Sequence, residues 1–265
     1  MAIDLDAVIR YQLDPDGIGT ITIDRPEKRN AMTYAMLGRF IETVRAAAAD
    51  ESCRVLILTG AGGAFCAGTD LADLATIPGD VRGVRGEAHE HDVWWPITAC
   101  PMPVIAAIDG PAVGMGTEFA TQADVRVAST GARFAWNFVH RGLVPDTGAG
   151  TWLLPRIVGL PAALRLLYSG DLIDAATALD LGYLTEVVEP GDLQAAALRH
   201  ARSFLGGSPF AQCRIKELVL EGLARDVPTH MRHHVEALSA CFASEDHREG
   251  VASFLERRPA AFTGH

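Results

Sequence analysis

Apolar positions in this chain fall into short alternating runs near the start, two near-continuous aliphatic runs in the middle, and helical spacing towards the end. Residues 8–13 and 19–23 flank Asp14-Pro15-Asp16-Gly17, a pattern that predicts two strands joined by a tight turn. Between residues 32 and 50, Met36, Leu37, Phe40, Ile41, Val44 and Ala48 recur at helical intervals, predicting an amphipathic helix with Thr33 as its N-cap. Val55–Gly60 and Val104–Ile108 read as strands covered on both faces, because neither shows the polar alternation of a half-exposed strand.

Each of these strands leads into a glycine-bearing turn and then a helix start: residues 61–68 before Thr69-Asp70-Leu71, and residues 109–114 before Met115–Gln122. This weak twofold repeat predicts an α/β architecture with crossover connections. Residues 78–103 lack periodicity, hold Gly79, Gly83 and Gly86, and read as a loop and short helix over a pocket. Beyond Gly159 the spacing predicts helices over 161–168, 175–181, 193–204 and 209–223, and a long helical stretch over 228–255.

Composition narrows the function classes. With 265 residues, 49% hydrophobic and 21% charged, the chain has the makeup of a globular protein of one or two domains, which excludes disordered and fibrous classes. A formal charge of −10 disfavours nucleic acid as a partner. No apolar run approaches the roughly 20 residues of a membrane span, and Asp4 and Asp6 stand where an export signal carries positive charge. A cytoplasmic protein with no membrane partner is expected. Cys53, Cys66, Cys100, Cys213 and Cys241 are odd in number and lack Cys-x-x-Cys spacing, as reduced thiols do. His230, His233 and His234, and His89-Glu90-His91, read as solvated faces, so no metal site is expected.

Candidate chemistry lies at the two turns. Gly68 precedes Thr69 and Gly114 precedes Met115, and the first amides of a helix have no internal partner and sit at its positive end. Two such amides converging on one point would form an oxyanion hole for an enolate or tetrahedral intermediate; the alternative is a pair of ordinary strand-to-helix turns. Glu118, one helical turn after Met115, is placed to move a proton beside that point, or else is a dipole-stabilising acid.

The segments from Ala64 to Asp70 (AFCAGTD) and from Pro103 to Gly116 (PVIAAIDGPAVGMG) resemble the two oxyanion motifs of the crotonase (enoyl-CoA hydratase/isomerase) superfamily. The resemblance extends to Arg25-Pro26, Asn30-Ala31, Gly142-Leu143-Val144-Pro145-Asp146, Ser208-Pro209, Lys216 and Arg248-Glu249-Gly250. It implies a spiral of ββα units over about residues 1–200, and a helical trimerisation region over 201–265 that belongs to the same unit. It also implies a homotrimer or a dimer of trimers, and an acyl-CoA thioester substrate with no cofactor beyond its CoA moiety. By matching position, the amides of Thr69 and Met115 hold the thioester oxygen. Lys28, Arg29, Ala31, Ala67, Gly68, Asp70 and Leu71 cradle adenine and pantetheine, Gly114 and Phe138 border the substrate, and Arg258 and Phe262 approach CoA, often from a neighbouring subunit.

Hydration in this superfamily uses two carboxylates. Glu118 matches the first, but Phe138 stands at the second, and no Asp or Glu occurs between residues 125 and 145. The next acid, Asp146, matches the working Asp of some isomerases, dienoyl isomerases and a dehalogenase, although the turn from Asp146 to Thr151 is one residue longer than usual; its alternative role is a helix N-cap. The resemblance therefore favours double-bond isomerisation by Glu118 and Asp146 over hydration, with a non-catalytic acyl-CoA-binding protein as a third reading. Trp94, Trp95, Trp136 and Phe138 are acyl-pocket or core candidates, His140 a proton-transfer candidate, and Cys66 a packing residue.

Overall fold

The computed structural model describes residues 3–76 and 95–265, so the expected loop over 78–103, with His89, Glu90, His91 and Trp94, falls largely outside the described residues. Strands β1 (Ile9–Leu13) and β2 (Ile18–Ile23) form the expected hairpin. Its turn is closed by the Asp14 carboxylate, which accepts from the amides of Asp16 and Ile18 at 2.9 and 2.8 Å. Next to β2 come β3 (Val55–Gly60), β4 (Val104–Ile108), β6 (Val125–Ser129) and β9 (Glu186–Val188), all parallel. A smaller sheet has the order β5 (Pro111–Val113), β7 (Arg133–Ala135), β8 (Ile173–Asp174).

Both faces of the large sheet are covered, which is why β3 and β4 are continuously apolar. Leu56, Leu58, Ala106 and Ile108 point to one face, where Met36, Phe40, Val44 and Ala47 of the Tyr34–Ala49 helix join the same buried cluster. Thr33 caps that helix, accepting from the amide of Met36 at 3.2 Å. Val55, Ile57, Ile105 and Ala107 point to the other face, against Leu193, Ala196, Ala197 and Ala201 of the Leu193–Leu205 helix. The expected division at residue 200 falls inside this helix, which packs on the sheet.

The expected helix start at 69–71 is present as a single turn, Leu71–Leu74, opened by the Asp70 carboxylate, which accepts from Ala72 N–H at 3.0 Å. One expectation needs correction. The stretch over 228–255 is two helices, Val227–Ala243 and Glu245–Glu256, because the Ser244 hydroxyl accepts from the amide of His247 at 3.0 Å and starts a new helix. Among the described residues no helix is long and apolar enough to cross a membrane.

Candidate active site

The two glycine turns are bonded side by side. Cys66 donates its amide to the Pro111 carbonyl at 3.0 Å and accepts from Val113 N–H at 2.9 Å. A third strand of backbone, at Met32, donates to the Gly68 carbonyl at 2.8 Å and accepts from Asp70 N–H at 2.7 Å. Since neighbouring backbone groups alternate in direction, the Thr69 N–H is turned away from Met32. Met115 is the first residue of the Met115–Gln122 helix, so its amide has no helical partner.

Glycine is required for this approach. Gly68 has φ +102°, and a Cβ there would lie 3.0 Å from the Val113 carbonyl oxygen and 3.9 Å from the Met115 nitrogen. A Cβ on Gly116 would lie 2.1 Å from the Cys66 carbonyl oxygen. Behind the turns, the buried Asn30 amide donates to the carbonyls of Ala61 and Ala64 at 2.9 and 2.6 Å, while its own oxygen accepts from Arg25 N–H at 2.7 Å. Arg25 also pairs with Asp70 at 2.8 Å, and this bond holds the Asp70 carboxyl below the usual carboxylate range.

A cavity of about 750 Å³ opens in front of the two amides. It is lined by Lys28, Ala31, Ala67, Asp70 and Leu71, by Gly68, Thr69, Gly114 and Met115 of the two turns, and by Phe138 and Asp146. Tyr34, Leu74, Asn137, Arg141, Leu143 and Val144 also line it. None of these six is singled out as a site residue by the sequence, although Leu143 and Val144 lie within the Gly142–Asp146 motif.

Glu118 is not among the lining residues. It is fully buried, one helical turn after Met115, and both carboxyl oxygens are occupied. Oε2 accepts from the Thr147 hydroxyl at 2.6 Å and Oε1 from Gly150 N–H at 2.9 Å. Burial pushes its pKa up to about 7; the charge of Asp146 adds to this, and the Thr147 and Gly150 bonds oppose it.

The family is decided by comparison with known proteins. The model of the enoyl-CoA hydratase/isomerase family matches residues 14–265. The chain belongs to this family. It is 34% identical over 251 residues to the 1,2-epoxyphenylacetyl-CoA isomerase of Escherichia coli, covering 94% of this chain and 95% of that one. It is 33% identical over 251 residues to the short-chain-enoyl-CoA hydratase of Clostridium acetobutylicum, covering 93% and 94%. The crystal structure of an enoyl-CoA hydratase from Bacillus anthracis superposes with a TM-score of 0.88 at 30% identity, covering 97% of this chain and all of that one. The protein is thus an enzyme of the crotonase superfamily, with the superfamily's α/β fold and a helical C-terminal region.

Other expected residues of this crotonase-superfamily enzyme lie elsewhere in the chain. Arg29 is exposed and its carbonyl accepts from Ala67 N–H at 3.0 Å, a backbone role, while its side chain is absent from the lining. Arg258 is held by Glu249 and Glu256, and Phe262 lines a separate pocket of about 470 Å³ with Ser208 and Phe254. Within one chain neither reaches the cavity, because the tail is fastened to the last helix: Asp246 accepts from Thr263 N–H at 2.8 Å. Trp136 is core, packed edge-on against Tyr183 at 5.1 Å. Trp95 donates to the Thr147 carbonyl at 2.9 Å and is not among the cavity's lining residues. His140 is exposed and off the cavity lining. Cys66 is fully buried and its thiol is pushed up to about 12 by desolvation, so it remains a protonated packing group. Among the described residues no group of three His, Cys, Asp or Glu could hold a metal ion.

The raised Glu118 pKa makes a stability prediction. In the folded state the carboxyl keeps its proton to about pH 7, whereas the unfolded chain releases it near the ordinary value of 4.5. Folding therefore loses stability as pH rises from about 4.5 to 7, by an amount on the order of 3 kcal/mol that is complete above the folded pKa. Glu118→Gln, which keeps an acceptor for Gly150 and carries no charge, is expected to flatten this slope and to be the more stable protein at pH 8. Urea unfolding of both proteins from pH 5 to 8 measures it; parallel curves would show that Glu118 does not carry the effect.

Proposed function

We propose that the enzyme shifts a double bond along the acyl chain of an acyl-CoA thioester, with Asp146 carrying the proton. One observation carries the reading: Asp146 lines the cavity that holds the Thr69 and Met115 amides. The resemblance adds that Phe138, also in that lining, stands where a hydratase carries its second carboxylate. Among the described lining residues the other carboxylate is Asp70, which is engaged by Arg25.

In this mechanism the thioester oxygen accepts from the amides of Thr69 and Met115. Asp146 removes a proton from the carbon next to the thioester in a 3-enoyl substrate. The electron pair spreads into a dienolate whose oxygen charge is held by the two amides, and the same carboxyl returns the proton two carbons further on. Lys28 in the cavity lining supplies a cation for the CoA phosphates. A trimer would bring Arg258 and Phe262 of a neighbouring copy to the cavity mouth. The apolar side chains left exposed on the C-terminal helices, among them Val219, Val235, Phe242 and Phe254, support such assembly.

Hydration of a 2-enoyl thioester is the second reading, favoured by the presence of Glu118 at the first hydratase position and by the hydratases among the relatives. The deciding experiment follows the purified protein on a 3-enoyl-CoA and on crotonyl-CoA at equal concentrations. Isomerisation faster than hydration supports the proposal, and the reverse order replaces it with the hydratase reading. Tight binding of both thioesters with no turnover would make the protein a CoA-thioester carrier.

A further inference from the structure

Asp146 sits in a turn that contains two glycines. Gly148 and Gly150 flank it at two and four residues' distance, Gly148 has φ +81°, and the preceding Leu143 and Val144 are exposed. A carboxylate that must remove a proton from one carbon and deliver it to another needs a fixed position relative to the oxyanion amides, since displacement of about 1 Å can cost roughly 10²-fold in rate. Several bonds that hold this turn pass through the residues that follow Asp146. The Thr147 hydroxyl gives its single hydrogen to Glu118 Oε2 at 2.6 Å and accepts from Ala149 N–H at 3.3 Å. The Thr147 carbonyl accepts from Trp95 Nε1 at 2.9 Å, and Gly150 N–H reaches Glu118 Oε1 at 2.9 Å.

The anchor is rigid for a clear reason. Glu118 is buried in the Met115–Gln122 helix and donates its own amide to the Gly114 carbonyl at 3.1 Å, so it belongs to the same turn of helix that presents the Met115 amide. There is no room for it to swing towards Gly150, where a Cβ would already lie 2.5 Å from Oε1. Attachment to Glu118 therefore refers the proton carrier and the oxyanion donor to one helical turn.

We propose that Thr147 is a positioning residue: its hydroxyl ties the Asp146 turn to the buried Glu118 carboxyl and so holds Asp146 in register with the oxyanion amides. In this role Glu118 is the anchor of the turn and its carboxyl does not itself reach the substrate. On this account the turn from Asp146 to Thr151 closes over both carboxyl oxygens of Glu118 through Thr147 and Gly150.

The inference rests on the reading of Asp146 as proton carrier. It is tested by steady-state isomerisation of a 3-enoyl-CoA by wild type, Thr147→Val, Thr147→Ser and Asp146→Asn, with CoA binding and circular dichroism as checks on folding. Thr147→Val keeps the shape and removes the hydroxyl; it is expected to lower kcat by roughly 10- to 100-fold with KM near wild type, because the substrate-binding surface is untouched. Thr147→Ser, which keeps the donor, is expected to restore most of that loss. A Thr147→Val enzyme with wild-type kcat, or a Thr147→Ser enzyme as slow as the valine variant, overturns the inference. If the valine variant does not fold, Thr147→Ala takes its place with the same expectation. Retained isomerisation in Asp146→Asn overturns the reading beneath it as well, whereas an Asp146-dependent enzyme indifferent to Thr147 overturns the positioning role alone.

Discussion

Asp146→Asn is expected to lower kcat for isomerisation by roughly 10²- to 10⁴-fold, the contribution of a well-placed general acid-base, and to leave KM close to wild type. The substitution is nearly isosteric and keeps a polar side chain in the cavity lining, so binding of the CoA portion through other lining residues such as Lys28 is expected to be undisturbed. It removes the one property the mechanism uses, which is the capacity to take a proton and give it back. Residual activity would come from the oxyanion amides, which stabilise the dienolate without any proton carrier. Solvent deuterium provides a second readout: wild type in heavy water is expected to exchange the proton next to the thioester, and Asp146→Asn is not. Exchange and isomerisation both intact in the variant would move the proton carrier elsewhere. Loss of hydration with isomerisation intact would favour water activation at this carboxyl.

The contrast between Asp146 and Glu118 shows what spacing along a chain reveals about such a site. The three-residue step from Met115 to Glu118 puts both residues in one turn of the Met115–Gln122 helix, yet Glu118 is fully buried and is not among the cavity's lining residues. What occupies the carboxyl is decided by Thr147 and Gly150, 29 and 32 residues away, and no local pattern encodes that closure. The same division holds for the fold. The β1–β2 hairpin, β3, β4 and the Tyr34–Ala49 helix were legible because each has either a capping residue, a turn signal or a run long enough to show its period. Strands β5, β7, β8 and β9 span only two or three residues, too few for alternation to register, and they exist because neighbouring strands pair with them, β5 with β7 and β9 with β6 in parallel and β8 with β7 antiparallel. Arg258 and Phe262 illustrate a third limit: their place in the sequence indicates a tail, while Glu249 and Asp246 decide where that tail is fastened.

Gly116→Ala is expected to damage stability and catalysis together, against the ordinary sign of a glycine-to-alanine change in a helix. Alanine improves helix propensity by up to about 1 kcal/mol, and at Gly38, exposed in the Tyr34–Ala49 helix with no atom within 4 Å of the added methyl, that gain should appear in full. At Gly116 the methyl would lie 2.1 Å from the Cys66 carbonyl oxygen and 3.0 Å from its carbon, both backbone atoms. Cys66 cannot retreat cheaply, because its amide and carbonyl are both bonded to the β5 segment at Pro111 and Val113. The helix must therefore move, and the Met115 amide moves with it, away from Thr69. Overpacking of this kind costs roughly 1–3 kcal/mol, more than the propensity gain, so the variant is expected to melt below wild type while Gly38→Ala melts above it. Displacing one oxyanion donor should lower kcat by roughly 10²- to 10³-fold. Measuring Tm and kcat for both variants separates the effects. A Gly116→Ala protein that keeps wild-type kcat would mean that the two amides do not jointly hold the thioester oxygen, whatever happens to its melting temperature.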